Sequence, residues 1–114
     1  MSPNNACLPP EIVASLSCYK RRLQQRFGER LHLCALFGSW ARGDQRENSD
    51  VDVLVLLDGA SRTERNEGIE MIADVDLETG IWLSPKVYST EDFERLKQTE
   101  SPFARAISED SRPV

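Results

Sequence analysis

The sequence predicts a small α+β domain. Three observations support this class: apolar segments that fit strands and helices alternate along the chain, glycines close several of them, and 114 residues with a net charge of −5 fit one globular unit. The predicted order is helix, strand, strand, helix, strand, helix. Since a helix joins the second and third strands, we expect these two strands to be parallel, with a right-handed crossover.

The first helix is predicted to begin at Pro10 and to end before Gly28, because apolar residues recur there at helical spacing. This apolar face comprises Ile12, Leu16, Tyr19, Leu23 and Phe27. Residues 1–9 are rich in Pro and Asn and are predicted to be a flexible leader. The single domain is therefore expected to cover residues 10–114.

Two strands are predicted next, separated by a polar stretch. Leu31–Phe37 indicates a buried strand that ends at Gly38-Ser39, and residues 50–57 indicate a second strand. A helix is then expected over residues 61–79. The third strand, Ile81–Tyr88, contains a proline, which favours an edge or bulge position.

Two further helix starts are predicted near the end of the sequence. Ser89 stands three residues before Asp92, as in a capping box, and Ser101-Pro102 opens a short last helix. In that helix Phe103 and Ile107 share a face, which either packs on the core or forms a dimer or partner surface. The pattern leaves both alternatives open.

Composition excludes several classes of function. The acidic balance argues against binding to a nucleic-acid backbone, and no apolar run reaches the roughly 18 residues of a membrane span. The beginning of the chain has no basic and apolar signal-peptide pattern. Three cysteines without a paired spacing argue against a disulfide framework. We therefore expect a cytoplasmic protein with no membrane partner and no nucleic acid.

Two alternate carboxylates open the second predicted strand. Asp50 and Asp52 project from one face, about 7 Å apart along the chain, and would repel each other unless they shared a cation. Mg²⁺ is the natural occupant, because it takes one or two carboxylates together with substrate phosphates. The pair therefore predicts a magnesium site.

A glycine and a serine end the preceding strand. A glycine at position 38 lets the backbone approach a ligand closely, and the following N–H groups with the Ser39 hydroxyl can hold phosphate oxygens. The sequence contains neither a Walker A motif nor a G-x-G-x-x-G motif. A phosphate cradle beside a carboxylate pair predicts a site for a nucleoside triphosphate.

These residues resemble a known family. Gly38-Ser39, Ala41-Arg42-Gly43 and Ser49-Asp50-Val51-Asp52 resemble the G-S-x-A-R-G…S-D-x-D signature of the minimal nucleotidyltransferases, in the DNA polymerase beta-like superfamily. The resemblance implies a small mixed sheet with helices packed on one side. It also implies two-metal Mg²⁺ catalysis, in which a nucleoside monophosphate, AMP if the substrate is ATP, passes to a hydroxyl and pyrophosphate is released.

The resemblance also implies roles for individual residues. Asp50 and Asp52 would be catalytic and would bind the metal. Gly38 and Ser39 would hold the triphosphate, Arg42 would lie near phosphate, and Ser49 would orient the carboxylate pair at the nucleotide-binding site.

The sequence departs from the family pattern at the third carboxylate. In this superfamily an acidic residue on the neighbouring strand helps to hold the metal that activates the attacking hydroxyl, and by position Ser84 stands in its place. We hypothesise that Asp76, in the last turns of the preceding helix, is a displaced third carboxylate. The alternative is a non-catalytic module that binds a nucleotide and a partner without transfer.

Small domains of this family pair with HEPN-domain toxins, so the resemblance implies an antitoxin-like role and a protein partner. Because 114 residues leave little room for acceptor recognition, we expect the acceptor to be a protein partner or to be bound by a homo-oligomer.

Overall fold

The computed structural model describes residues 8–46 and 48–114. Their helices are α1 (Pro10–Phe27), α2 (Ser39–Arg42), α3 (Arg62–Thr79), α4 (Thr90–Gln98) and α5 (Pro102–Asp110). Their strands are β1 (Leu31–Phe37), β2 (Val51–Leu57), β3 (Leu83–Ser89) and β4 (Arg112–Pro113). A 3-10 turn, Gly28–Arg30, joins α1 to β1. The predicted elements are all present, whereas the four-residue α2 and the two-residue β4 were not predicted.

The described strands form one mixed sheet in the order β3-β2-β1-β4. β1 is antiparallel to both β2 and β4, whereas β2 and β3 are parallel, as the crossover predicted. The α+β class and the mixed sheet are therefore confirmed. Because β2 is an inner strand, the side chains at its ends lie between the two neighbouring strands, β1 and β3.

Helices cover both faces of this sheet, which corrects the expectation that they pack on one side. Val53 and Val55 of β2 belong to a core cluster with α1 and α3. The intervening Leu54 and Leu56 belong to a second cluster on the other face, which includes residues of α4 and α5. Since successive side chains of a strand point to opposite faces, both faces of β2 are buried.

α1 buries the face that its periodicity predicts. Ile12, Leu16, Tyr19, Leu23 and Phe27 are all buried. The fully buried Tyr19 hydroxyl donates a hydrogen bond of 2.7 Å to the carbonyl of Gly68, so α1 and α3 are joined across the core. Residues 1–7 of the predicted leader lie outside the described residues, and Leu8 packs against this cluster.

The two helices near the end of the chain begin at the predicted caps. The Ser89 hydroxyl accepts from the Asp92 N–H at 3.1 Å, and the Ser101 hydroxyl accepts from the Ala104 N–H at 3.1 Å. Ile107 is buried, and Phe103 packs edge-to-face on Phe37 with ring centroids 6.1 Å apart. Of the two alternatives left open, packing on the core is therefore the one observed. No helix in the described ranges is long and apolar enough to cross a membrane.

Candidate functional site

The segment from Gly38 to Gly43 forms one helical turn between two glycines with positive φ. Gly38, at φ 75° and ψ −154°, precedes α2 in a conformation that side chains disfavour, and Gly43 ends it at φ 84° in the left-handed region. Between them Ala41 is buried, which favours a small side chain. The spacing of the two glycines is therefore dictated by the turn itself.

Asp52 lies directly against this turn. Phe37 of β1 pairs with Asp52 of β2, and a Cβ added at Gly38 would stand 2.5 Å from the Asp52 Oδ2. A carbon atom cannot approach a carboxylate oxygen so closely without a bond, so only glycine fits there. The glycine thus brings the backbone that opens α2 next to a carboxylate.

Asp50 and Asp52 lie together at the start of β2. Asp50 is exposed, whereas Asp52 is half-buried. Burial raises the pKa of the Asp52 carboxyl, and the negative charge of Asp50 raises this pKa further. The charge of Lys86, a hydrogen bond from Ser84 and the charge of Arg42 act in the opposite direction. The net shift in the Asp52 pKa is upward, with burial as its largest cause.

Ser84 lies directly beside Asp52. The two residues are paired in the parallel register of β2 and β3. This is the position at which the family pattern expects a third acidic residue, and the neutral Ser84 stands there instead.

Asp76 does not complete the pair. Within residues 8–46 and 48–114, no three His, Cys, Asp or Glu side chains form a group that could hold a metal ion. Asp76 is half-buried near the end of α3, where its carbonyl accepts from the Gly80 N–H at 2.7 Å. The structure therefore gives the hypothesis of a displaced third carboxylate no support.

Arg42 is held by two acids at the rim of the site. Its guanidinium contacts Asp44 at 3.1 Å and Asp110, at the end of α5, at 3.1 Å. Both hydrogen bonds raise the pKa of Arg42, first that to Asp44 and then that to Asp110. The last residue of α5 therefore fixes a side chain of α2, although 68 positions separate them in the chain.

Ser49 is anchored in the loop that leads into β2. Its hydroxyl accepts from the Arg46 N–H at 2.7 Å, and its carbonyl accepts from the Trp40 indole N–H at 3.2 Å. These bonds tie the loop to α2 and so fix where β2 begins. Ser49 positions the segment that carries Asp50, and the bonds described here do not join its hydroxyl to either carboxylate.

Lys86 is a site residue that the sequence analysis missed. It follows Ser84 by two positions on β3, so its side chain points to the same face of the sheet as Ser84 and Asp52. It is exposed, and its charge is the largest of the influences that lower the Asp52 pKa. Side chains alternate between the two faces of a strand, so Lys86 could have been identified from its place two residues after Ser84, where the family pattern expects the third carboxylate.

The donor set fits a magnesium ion. Asp50, which directly precedes β2, and Asp52 supply carboxylate oxygens at the start of that strand, and the charge of Asp50 contributes to the raised Asp52 pKa. Mg²⁺ prefers oxygen ligands and is commonly bound through one or two carboxylates with substrate phosphates. These two residues therefore suit one ion that also binds a phosphate.

Comparisons with known proteins bear on the family of the chain and on its fold. A sequence profile of the family described as "Nucleotidyltransferase domain" matches residues 16–113. A protein of Methanocaldococcus jannaschii, provisionally named as a protein adenylyltransferase, is 34% identical over 79 residues, which cover 68% of this chain and 80% of that protein. A protein adenylyltransferase of Thermococcus cleftensis is 47% identical over 45 residues, or 40% of this chain and 43% of that protein.

Among solved structures, one described as "Crystal structure of the toxin-antitoxin with AMP-PNP" has a similar fold. It superposes with a TM-score of 0.50 at 20% sequence identity and covers 83% of this chain and 68% of that chain. At this identity the likeness concerns the fold alone.

Proposed function

This chain belongs to the nucleotidyltransferase domain family, and on that premise we propose that it transfers AMP from ATP to a hydroxyl group of a protein acceptor. The observation that carries the proposal is the contact between Gly38 and Asp52. This contact brings the Asp52 carboxylate against the glycine turn that is proposed to hold the triphosphate. The names of the relatives, protein adenylyltransferases, support AMP as the transferred group and a protein as the acceptor.

The nucleotide is proposed to lie between α2 and β2. The Ala41 and Arg42 N–H groups donate to the Gly38 carbonyl, whereas those of Ser39 and Trp40 donate in none of the backbone hydrogen bonds of the described residues and are proposed to bind phosphate oxygens. The Ser39 hydroxyl joins them, and Arg42 provides positive charge at the rim. Ser49 holds the loop that presents Asp50.

Asp50 and Asp52 are proposed to bind Mg²⁺, which when bound would neutralise phosphate charge during the transfer. In the reaction, the acceptor hydroxyl oxygen forms a bond to the α-phosphorus. The bond from the α-phosphorus to the oxygen bridging to the β-phosphate breaks, and its electron pair leaves with pyrophosphate. The hydroxyl proton passes to solvent water, which reaches the site because Asp50 is exposed.

The partner is proposed to be a protein, with an antitoxin-like role for this chain. The resemblance to minimal nucleotidyltransferases points to a HEPN-domain toxin as a partner of this kind. The structural neighbour described as a toxin-antitoxin with AMP-PNP has the same fold and supports looking for such a partner. A homo-oligomer that binds the acceptor is the alternative arrangement.

The test is transfer of label from ATP labelled at the α-phosphate. The chain is mixed with Mg²⁺ and the protein encoded next to it, and labelled protein is separated by gel electrophoresis. We expect label on the acceptor with the native chain and none with Asp50→Asn or Asp52→Asn. Asp74→Asn is the matched control, because it makes the same chemical change on an exposed residue of α3.

Two results would contradict the proposal. Label from the γ-phosphate instead of the α-phosphate would indicate a different reaction. Binding of ATP without transfer to any acceptor would favour the non-catalytic module that Ser84 raises as the alternative.

A further inference from the structure

Lys86 stands at the site without the acidic partner that the other nearby cation has. Arg42, on the β1 side of Asp52, is bound to Asp44 and Asp110. Lys86, on the β3 side, forms none of the ion pairs found within residues 8–46 and 48–114. A lysine that lies near Asp52 without forming an ion pair is available to a ligand that brings its own negative charge.

The position of Lys86 in the sheet also determines which groups its ammonium can reach. Asp52 is paired with Phe37 of β1 on one side and with Ser84 of β3 on the other. Lys86 follows Ser84 on the same face and is paired in register with Leu54, two positions after Asp52. Because a lysine side chain is long and flexible, its ammonium can reach a group bound at Asp52 from the side opposite to α2.

The site needs positive charge on that side. The register position beside Asp52 holds a neutral serine, and no group of three potential metal-ligating side chains occurs in the described parts of the chain. Ser84 therefore leaves the β3 side without the carboxylate that would anchor a second cation. The phosphate undergoes transfer next to Asp52 and would lack a cation there unless a side chain supplied one.

We propose that Lys86 is a catalytic residue that binds the phosphate being transferred and supplies the positive charge on the β3 side of Asp52. This inference rests on the proposed function. The ammonium donates to a non-bridging oxygen of the α-phosphate while the acceptor oxygen bonds to phosphorus and pyrophosphate leaves. Lys86 neither gains nor loses its proton in the step.

The test measures binding of a nucleotide that cannot react. The probe is α,β-methylene-ATP with Mg²⁺, titrated by calorimetry into the native chain and into Lys86→Ala and Lys86→Arg. A charge-assisted hydrogen bond corresponds to roughly a 10- to 100-fold change in affinity. We therefore expect Lys86→Ala to weaken binding by about that factor and Lys86→Arg to recover most of it. Transfer from α-labelled ATP should fall at least as much in Lys86→Ala.

Lys97→Ala is the matched control. Lys97 is an exposed lysine of α4 that pairs with Glu94, and it is not among the influences on the Asp52 pKa. Its removal changes the net charge by the same amount and should leave nucleotide affinity within about twofold of the native value. Thermal unfolding of each variant checks that the fold is kept.

Equal affinities for Lys86→Ala and Lys97→Ala would overturn the inference, whatever happens to transfer. Lost transfer with unchanged binding would place Lys86 with the acceptor instead of the phosphate. The proposed function fails separately: it fails if the native chain does not bind the probe, or if Asp52→Asn still transfers label.

Discussion

The Asp52 carboxylate occupies the space that a side chain at position 38 would need. A Cβ on Gly38 would lie 2.5 Å from Asp52 Oδ2 and 3.3 Å from Asp52 Cγ. Gly38 also has a φ of 75°, which side-chain-bearing residues rarely adopt. Two independent reasons therefore require glycine at the end of β1, and one of them is a contact with a proposed metal ligand.

Gly38→Ala should lower both stability and nucleotide binding. The backbone strain costs about 1–3 kcal/mol in the free energy of unfolding, and the methyl group must push the Asp52 carboxylate away. Gly59→Ala is the control, because Gly59 has a φ of 61° but a Cβ added there would have no atom within 4 Å. Denaturant unfolding and calorimetry with α,β-methylene-ATP measure the two effects. The interpretation is wrong if both variants bind nucleotide equally well.

Asp52→Asn should stabilise the nucleotide-free protein at neutral pH while it abolishes transfer. Burial and the charge of Asp50 raise the Asp52 pKa, so the folded state binds this proton more tightly than the unfolded state. Stability therefore falls as pH rises through the titration of Asp52. Replacing the charge should add about 0.2–1 kcal/mol at pH 7, the range for solvated charge pairs.

The pH dependence is the check on this prediction. The gain from Asp52→Asn, measured by urea unfolding, should shrink toward acid pH, where Asp52 is protonated in the native chain as well. Mg²⁺ with nucleotide should stabilise the native chain and leave the variant unchanged, since ligands stabilise only the state that binds them. A gain that stays constant from about pH 3 to about pH 7 would count against the electrostatic cause.

Ser84→Asp should restore a third carboxylate beside Asp52. In the presence of a chelator we expect a loss of about 0.2–1 kcal/mol, because like charges face each other across paired strands. Mg²⁺ should reverse the loss by binding the three carboxylates. Ser84→Asn is the control, because asparagine is similar in size to aspartate but carries no charge. The stability of this variant should not depend on Mg²⁺. Melting temperatures of both variants are measured with and without Mg²⁺. A loss of stability in Ser84→Asp that Mg²⁺ does not reverse would refute the prediction.

Glu64→Gln should weaken the protein at neutral pH but not in strong acid. The Glu64 carboxylate binds Arg30 at 2.7 Å and forms a capping box with Ser61, and these bonds lower its pKa to about 2, with Arg30 as the larger cause. The unfolded state takes up the proton first as pH falls, so the native chain loses this stability between its ordinary pKa of 4.5 and about 2.

Glutamine keeps the capping box and removes only the charge. The unfolding free energy of Glu64→Gln should therefore be below that of the native chain at neutral pH, and the two should converge near pH 2, the pKa of Glu64 in the folded protein. Ser61→Ala removes the cap itself and should cost about 1 kcal/mol at every pH. Parallel curves for Glu64→Gln and the native chain would show that the ion pair with Arg30 contributes nothing.

Much of the fold could be predicted because the deciding interactions are local. The buried face of α1 follows from residues three or four apart, and Ser61, Ser89 and Ser101 cap helices through bonds to residues three positions on. The face of the sheet on which each helix packs was harder to predict. The resemblance implied helices on one side of the sheet, and the structure corrects this; the unbroken apolar run of β2, which is typical of a strand buried on both faces, was the pattern that could have indicated it.

The sequence by itself determined the signature residues from Gly38 to Gly43, the alternate aspartates Asp50 and Asp52 and the family to which they point, but not the helical turn α2. Only the tertiary structure decided which residues surround Asp52. The register of β2 with β3 places Ser84 beside it and Lys86 on the same face, and α5 brings Asp110 to Arg42. These contacts join residues that lie far apart in the chain. They depend on strand order and register, which the local pattern of a single sequence does not specify.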